Sequence, residues 1–255
     1  MTHYALILAG GKGSRLNNTE FPKQFLEINK KPMLMHSIKA FHAVNWGIKI
    51  YVGLPKDHFN TWRLLCETHN FKIKHEIYEA GNERLDTTFL GLQQIVQNND
   101  TSNSIVCIHD AARPFITKSF IINLLNNFSK SEIKAVIPTE LIKNSIISSK
   151  NNIYESKNRD NYLLCQTPQC FTFQAIFKAY VNIMSNSRNN SSKDKIFSKL
   201  HDDFSVFKAC FLNQKNNVEL VEGLDSNIKI TTDLDYFISE KIYQFFKTYN
   251  ESSEA

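Results

Sequence analysis

Short apolar runs alternate with longer amphipathic stretches along the first half of the chain. Residues 4–9 (YALILA) make a strand-like run that ends in Gly10-Gly11, and residues 32–44 space their apolar side chains at helical intervals. The alternation continues with strand-like 48–54, helical 59–69, strand-like 73–78, helical 84–96, strand-like 105–109, helical 118–128 and strand-like 134–138. Apolar strands separated by helical stretches of this length are the pattern of βαβ units. They predict an α/β fold: a three-layer α/β/α sandwich with a Rossmann-like, mostly parallel sheet and right-handed crossovers. Beyond Pro138 the pattern changes. Residues 140–154 mix β-branched side chains with Ser, Asn and Lys, which suits an extended β-arm or a hairpin. Residues 185–192 (SNSRNNSS) read as a loop, 218–221 as a strand, and 232–249 as a final helix with Asp near its start, where the helix dipole favours negative charge. The tail, 251–255, is expected to fray.

Length and composition narrow the class. At 255 residues, 42% hydrophobic and 22% charged, the chain is expected to fold as a single domain over 1–255 with an arm at about 140–158. The longest apolar runs fall far short of the roughly 20 residues that span a bilayer, so no membrane association is expected. No basic patch precedes a long apolar stretch near the N-terminus, so no secretory signal is expected. Five cysteines (Cys66, Cys107, Cys165, Cys170, Cys210) without CxxC or zinc-type spacing read as reduced thiols of a cytoplasmic protein. The net charge of +5 is mild; it suits an anionic small molecule and gives no reason to expect nucleic acid.

Candidate chemistry begins where the first strand ends. In Leu8-Ala-Gly-Gly-Lys-Gly-Ser-Arg-Leu16, glycines let the backbone approach a phosphate and aim N–H groups at it. Leu16 breaks a dinucleotide GxGxxG, and no GKS or GKT completes a P-loop. What remains is a Gly-rich turn with Lys12 and Arg15, followed by Pro22-Lys23-Gln24. Its cations suit a polyphosphate; a tight βα turn with solvated charges is the bland alternative. His109-Asp-Ala-Ala-Arg-Pro114 follows another apolar strand, which sets Asp110 in the crevice where such folds bind ligands. A carboxylate beside a triphosphate commonly holds Mg²⁺, while a lone Asp at a strand end commonly caps a helix.

The G-G-x-G-x-R stretch followed by P-K-Q-F, together with HDAARP, resembles the 2-C-methyl-D-erythritol 4-phosphate cytidylyltransferases. Gly81-Asn-Glu-Arg84 with Asp86-Thr87, Arg159 with Thr167-Pro-Gln169, Asp202-Asp203 with Ser205, and Glu222-Gly223 with Asn227-Ile-Lys-Ile-Thr231 resemble further segments of that family, in order. Four positions depart from its usual pattern: Leu16, Ala80, Asn144 and His201. Ser145 keeps a hydroxyl beside Asn144, and the phosphate-handling cations are retained.

The resemblance implies a reaction between CTP and a polyol phosphate that yields a CDP-polyol and pyrophosphate. It implies Arg15, Lys23, Asp110 and Lys229 as catalytic residues, with Arg15 and Lys23 on the α-phosphate and leaving pyrophosphate. Gly10, Gly11 and Gly13 would cradle the β- and γ-phosphates, and Asp110 would hold Mg²⁺. Arg84 and Thr87 would line the cytidine pocket. Arg113, Ser145, Arg159 and Thr167 complete the implied substrate-binding set, with Arg159 and Lys229 on the acceptor phosphate. A homodimer is implied, in which the arm of one subunit completes the other's site. Ribitol 5-phosphate cytidylyltransferases, which more often read HDAVRP, are the near alternative. A non-catalytic nucleotide-binding scaffold is the alternative of another class.

Overall fold

A computed structural model describes residues 2–11, 22–130, 132–186, 200–211 and 217–253. Strand β1 (Tyr4–Leu8) is wholly buried, and its alternation divides the molecule into two cores. Ala5 and Ile7 face α1 (Met33–Ala43), α2 (Phe59–Thr68) and α4 (Lys118–Asn126), where Ile38, Phe41, Trp62 and Leu124 pack. Tyr4 and Leu6 face α3 (Arg84–Asn98), α5 (Phe173–Asn186) and α6 (Asp203–Cys210), where Leu92, Ile176, Tyr180 and Phe207 pack. Helices on both faces of a central sheet make the expected three-layer sandwich. Each such buried Leu, Ile or Phe contributes roughly 1.5–3 kcal/mol.

The sheet is mostly parallel and mixed at one side. β1 lies between β4 (Lys49–Leu54) and β6 (Ile105–Asp110), parallel to both, and β5 (Glu76–Glu79) extends β4. β7 (Ala135–Leu141) is flanked on one edge by β12 (Val218–Glu222), parallel to it. On its other edge run β10 (Leu163–Cys165) and then β11 (Gln169–Thr172), both antiparallel, with β11 also pairing β6. The chain leaves β1 toward β4 and β5, then returns to lay β6 on β1's other side. Such a reversal opens a crevice at the carboxyl ends of the two strands; here those ends are Leu8 and Asp110, which pair.

Residues 140–158 divide. β7 takes the first two, and β8 (Ile146–Lys150) pairs antiparallel with β9 (Ile153–Lys157) as a separate hairpin. Asn151 and Asn152 turn it with φ of 51° and 62°. Two successive positive φ angles are what a two-residue turn matched to strand twist requires, and Asn tolerates them. The short strands β2 (Glu27–Ile28) and β3 (Lys31–Pro32) pair beneath α7 (Asp233–Ser253), which packs Tyr236, Tyr243 and Phe246 on Ile28, Met33, Phe115 and Ile230.

Several expectations are revised. The helix over 232–249 runs on to Ser253, so residues 251–253 are helical rather than a frayed tail. α5 covers 185–186 of the expected loop, and the rest of that loop lies outside the described residues. Residues 228–230 belong to no strand of the described sheets. All five cysteines are free thiols. Among the described residues, no helix is long and apolar enough to cross a membrane.

Candidate active site

The crevice at the ends of β1 and β6 is a cleft of about 480 Å³. Gly10, Gly11, Lys23, Arg84, Thr87, Asp110 and Lys229 all line it. Gly10 is required by crowding: a Cβ there would stand 2.8 Å from the Cβ of Ala80. Lys23 opens a 3-10 turn, residues Lys23–Phe25, that Pro22 starts at φ −55°. Phe25 anchors the turn by stacking on Trp62, with ring centroids 5.9 Å apart and planes within 9°. One face of PKQF is thereby buried in the core while Lys23 reaches the cleft.

Asp110 is the electrostatic centre. Its Oδ1 accepts from Arg84 Nε at 3.0 Å and its Oδ2 from Lys229 Nζ at 2.7 Å. Burial pushes the carboxyl's pKa up, but Arg84 and Lys229 outweigh it and hold Asp110 well below the usual carboxylate range. Arg84 also pairs with the fully buried Asp203, NH1 to Oδ2 at 2.7 Å, and Tyr180 donates to Asp203 Oδ1 at 2.5 Å. Burial works against the Arg84 charge; Asp203 and Asp110 reverse that and raise its pKa well above the ordinary value. The pair of carboxylates around one guanidinium ties α3, α6 and β6 together.

Behind Asp110 runs a chain of hydrogen bonds. The Asp110 backbone N–H donates to Thr167 Oγ1 at 3.0 Å, and Thr167 Oγ1 lies 3.1 Å from His109 Nδ1. His109 Nε2 lies 3.0 Å from the Arg113 carbonyl, which can only accept. Nε2 therefore donates, and in the neutral ring Nδ1 accepts from the Thr167 hydroxyl. Burial pushes His109 down to about 4.

The implied site residues are not all gathered here. Gly13 and Arg15 lie outside the described residues. Thr167 is buried, with its hydroxyl committed to Asp110 and His109, so it supports the cleft without lining it. Arg113 donates from NH1 to the Asn227 carbonyl at 2.7 Å and also stands outside the lining. Arg84 and Thr87 line the cleft with polar groups already engaged; the Thr87 hydroxyl donates to Glu83 O and accepts from Gly81 N, both at 3.0 Å. Ser145 and Arg159 are exposed at the base of the hairpin, where Arg159 NH1 donates to Lys143 O at 2.7 Å. Neither reaches the cleft of its own chain.

Three supporting residues received no such role from the sequence. Asp202 is the N-cap of α6, sharing a capping box with Ser205, and Asp203 is buried under Arg84. Gln166 and Asn227 are both buried and bonded to each other. A buried amide needs a partner, but sequence alone does not show which amides are buried.

A doubly flanked α/β sheet with a cationic cleft at its switch point defines a class: proteins that hold anionic, phosphate-bearing small molecules at strand ends. The family description for IspD, 2-C-methyl-D-erythritol 4-phosphate cytidylyltransferase, matches residues 3–244, and the chain belongs to that family. A relative of that name from Bacteroides fragilis is 35% identical over 95% of this chain and 100% of its own length. Another of the same name, from Azobacteroides pseudotrichonymphae, is 33% identical over 94% and 97%. Among solved structures, the 2-C-methyl-D-erythritol 4-phosphate cytidylyltransferase of Francisella tularensis aligns with a TM-score of 0.73 at 25% identity, covering 95% of this chain and all of that one. The 4-diphosphocytidyl-2C-methyl-D-erythritol synthase of Anaerococcus prevotii aligns at 0.74 and 24% identity, over 94% and 97%, and supports the same fold.

Proposed function

We propose that this enzyme transfers the cytidylyl group of CTP to 2-C-methyl-D-erythritol 4-phosphate, releasing pyrophosphate and forming 4-diphosphocytidyl-2-C-methyl-D-erythritol, a step of non-mevalonate isoprenoid synthesis. The observation that carries the reading is the family match over residues 3–244. The cleft that brings Asp110, Lys229 and Lys23 to the Gly10-Gly11 strand end adds to it. Relatives named for this acceptor favour it over ribitol 5-phosphate and over a non-catalytic scaffold.

The acceptor phosphate is ionised at neutral pH, so its oxygen attacks the α-phosphorus in line without a general base. His109 is suited to no proton transfer, being neutral, buried and bonded on both nitrogens. The residues' work is to bring two polyanions together and to stabilise charge that grows on phosphate oxygens. Arg15 and Lys23 stabilise the α-phosphate and the leaving pyrophosphate. Lys229, whose amine has three donors, contacts the acceptor phosphate while keeping Asp110.

Mg²⁺ fits this donor set. Asp110 and Glu83 line the cleft, and the described residues hold no group of three His, Cys, Asp or Glu side chains that would bind a metal alone. One carboxylate plus substrate phosphates is a usual environment for Mg²⁺, so Asp110 would hold an ion that arrives with CTP. When bound, it supplies neutralising charge to the phosphates. We also read the chain as a homodimer, supported by a hairpin whose Ile147, Ile153 and Tyr154 are each about two-thirds exposed. An isolated hairpin is marginal in water. The free thiols support a cytoplasmic setting.

The test is pyrophosphate release with CTP and either methylerythritol phosphate or ribitol phosphate, with and without excess EDTA. Turnover with the first acceptor, abolished by EDTA, is expected. Preference for ribitol phosphate, or no turnover with either, would overturn the acceptor or the enzymatic reading respectively; full activity in EDTA would remove the metal.

A further inference from the structure

Residues 223–231 form no strand, yet they deliver Lys229 to Asp110. Without a ladder, such a segment must be fixed by other hydrogen bonds. Four converge on Asn227, which is fully buried. Its side-chain amide donates to Gln166 Oε1 at 3.0 Å and to the Thr167 carbonyl at 2.8 Å. Its backbone carbonyl accepts from Arg113 at 2.7 Å, and its backbone N–H donates to Leu224 O at 2.9 Å. Gln166 Oε1 also accepts from the Leu224 N–H at 3.1 Å. On the far side of Lys229, Ile230 is buried and its N–H donates to Ala112 O at 2.9 Å.

The turn at 166–167 that holds Asn227 also holds the Asp110 backbone through Thr167 Oγ1. One knot therefore fixes both ends of the Lys229–Asp110 contact. Asn227 itself stands outside the cleft lining. We propose that Asn227 is a positioning residue: it sets Lys229 against Asp110 and so determines where the acceptor phosphate is held. The proposal rests on the cytidylyltransferase reading for its functional consequence but not for its geometry.

The test is a double-mutant cycle of Asn227→Ala and Lys229→Ala, with kcat and KM measured for each substrate. A misplacement near 1 Å can cost about 100-fold. N227A should lower kcat/KM for the acceptor by about 10- to 100-fold and leave KM for CTP within about twofold. In the K229A background it should cost less than about threefold further, because its route is already gone. Equal losses in both backgrounds would mark a merely structural residue and overturn the proposal. Gln166→Met removes the Oε1 that accepts from Asn227 and Leu224 and the Nε2 that donates to the Leu224 carbonyl, and should give the same pattern, which serves if N227A does not fold. A crystal structure of either variant decides without turnover: displacement of Lys229 Nζ from Asp110 is expected, and an unchanged 2.7 Å contact would sink the idea. If wild type shows no turnover with CTP, the functional reading falls alone, and the crystal structure still judges Asn227.

Discussion

The ring of His109 has no exposed surface, and both its nitrogens are engaged, so its protonation would put an uncompensated charge in the core and take the Nδ1 acceptor from the Thr167 hydroxyl. Its folded pKa, pushed by burial to about 4, lies below the unfolded value of 6.5. Between those values the unfolded chain binds more protons, so stability rises with pH. The His109 contribution is fully present above about pH 6.5 and lost as pH falls toward 4, a difference on the order of 3 kcal/mol. His3, His36 and His75 are pushed down by burial in the same direction. Urea midpoints at pH 7 and 5 should fall less for His109→Gln than for wild type; identical falls would mean that His109 does not titrate there. Gly10 offers a second residue-scale test. Gly10→Ala would crowd the Ala80 methyl at 2.8 Å and should cost about 1–3 kcal/mol. Adding Ala80→Gly should restore most of it. A double variant as unstable as the single would show that the Ala80 contact is not what demands glycine.

At the scale of elements, Asp203 and Arg84 join α6 to α3 behind the cleft, and a buried pair is costly to break from one side. Asp203→Ala would leave Arg84 leaning on Asp110 alone and Tyr180 without its acceptor, and should destabilise by roughly 3–5 kcal/mol in urea titration. A loss below about 1 kcal/mol would show the pair to be dispensable. Elements like these mark the limit of what the sequence reveals. The apolar runs that became β1, β4 and β6 are long and unbroken, and the helices between them repeat at clear intervals. β10 and β11 have three and four residues on either side of Thr167-Pro168, too short for alternation to register. α5 does carry a signal, with Phe173, Ile176, Tyr180 and Ile183 at helical spacing. In the site, Lys23, Asp110 and Lys229 were named through the family resemblance, and all three line the cleft. The partners of Thr167, Arg113 and Asp203 were not legible, because a polar side chain looks the same in sequence whether it faces a ligand or a buried partner.

The largest question concerns more than one copy of the molecule. Ser145 and Arg159 stand at the base of a hairpin whose Ile147, Ile153 and Tyr154 are each about two-thirds exposed, and neither residue lines the cleft of its own chain. If two copies clasp through these hairpins about a two-fold axis, each arm carries its Arg159 to the other's cleft. Contacts across such an axis are reciprocal, so both sites would be completed in the same way. An Arg159→Ala chain and a Lys23→Ala chain should then each be nearly inactive alone, since loss of one preorganised cation costs on the order of 10²–10³ in rate. Mixed and allowed to exchange, they form heterodimers in which one site holds both wild-type residues and the other neither. Random pairing gives about half heterodimers, so about a quarter of wild-type activity should return in the pyrophosphate-release assay. Exchange is checked independently by mass spectrometry of the intact dimers. Confirmed heterodimers without recovered activity would put Arg159 to work in its own subunit, and a chain that stays monomeric at assay concentration would leave the hairpin with another purpose.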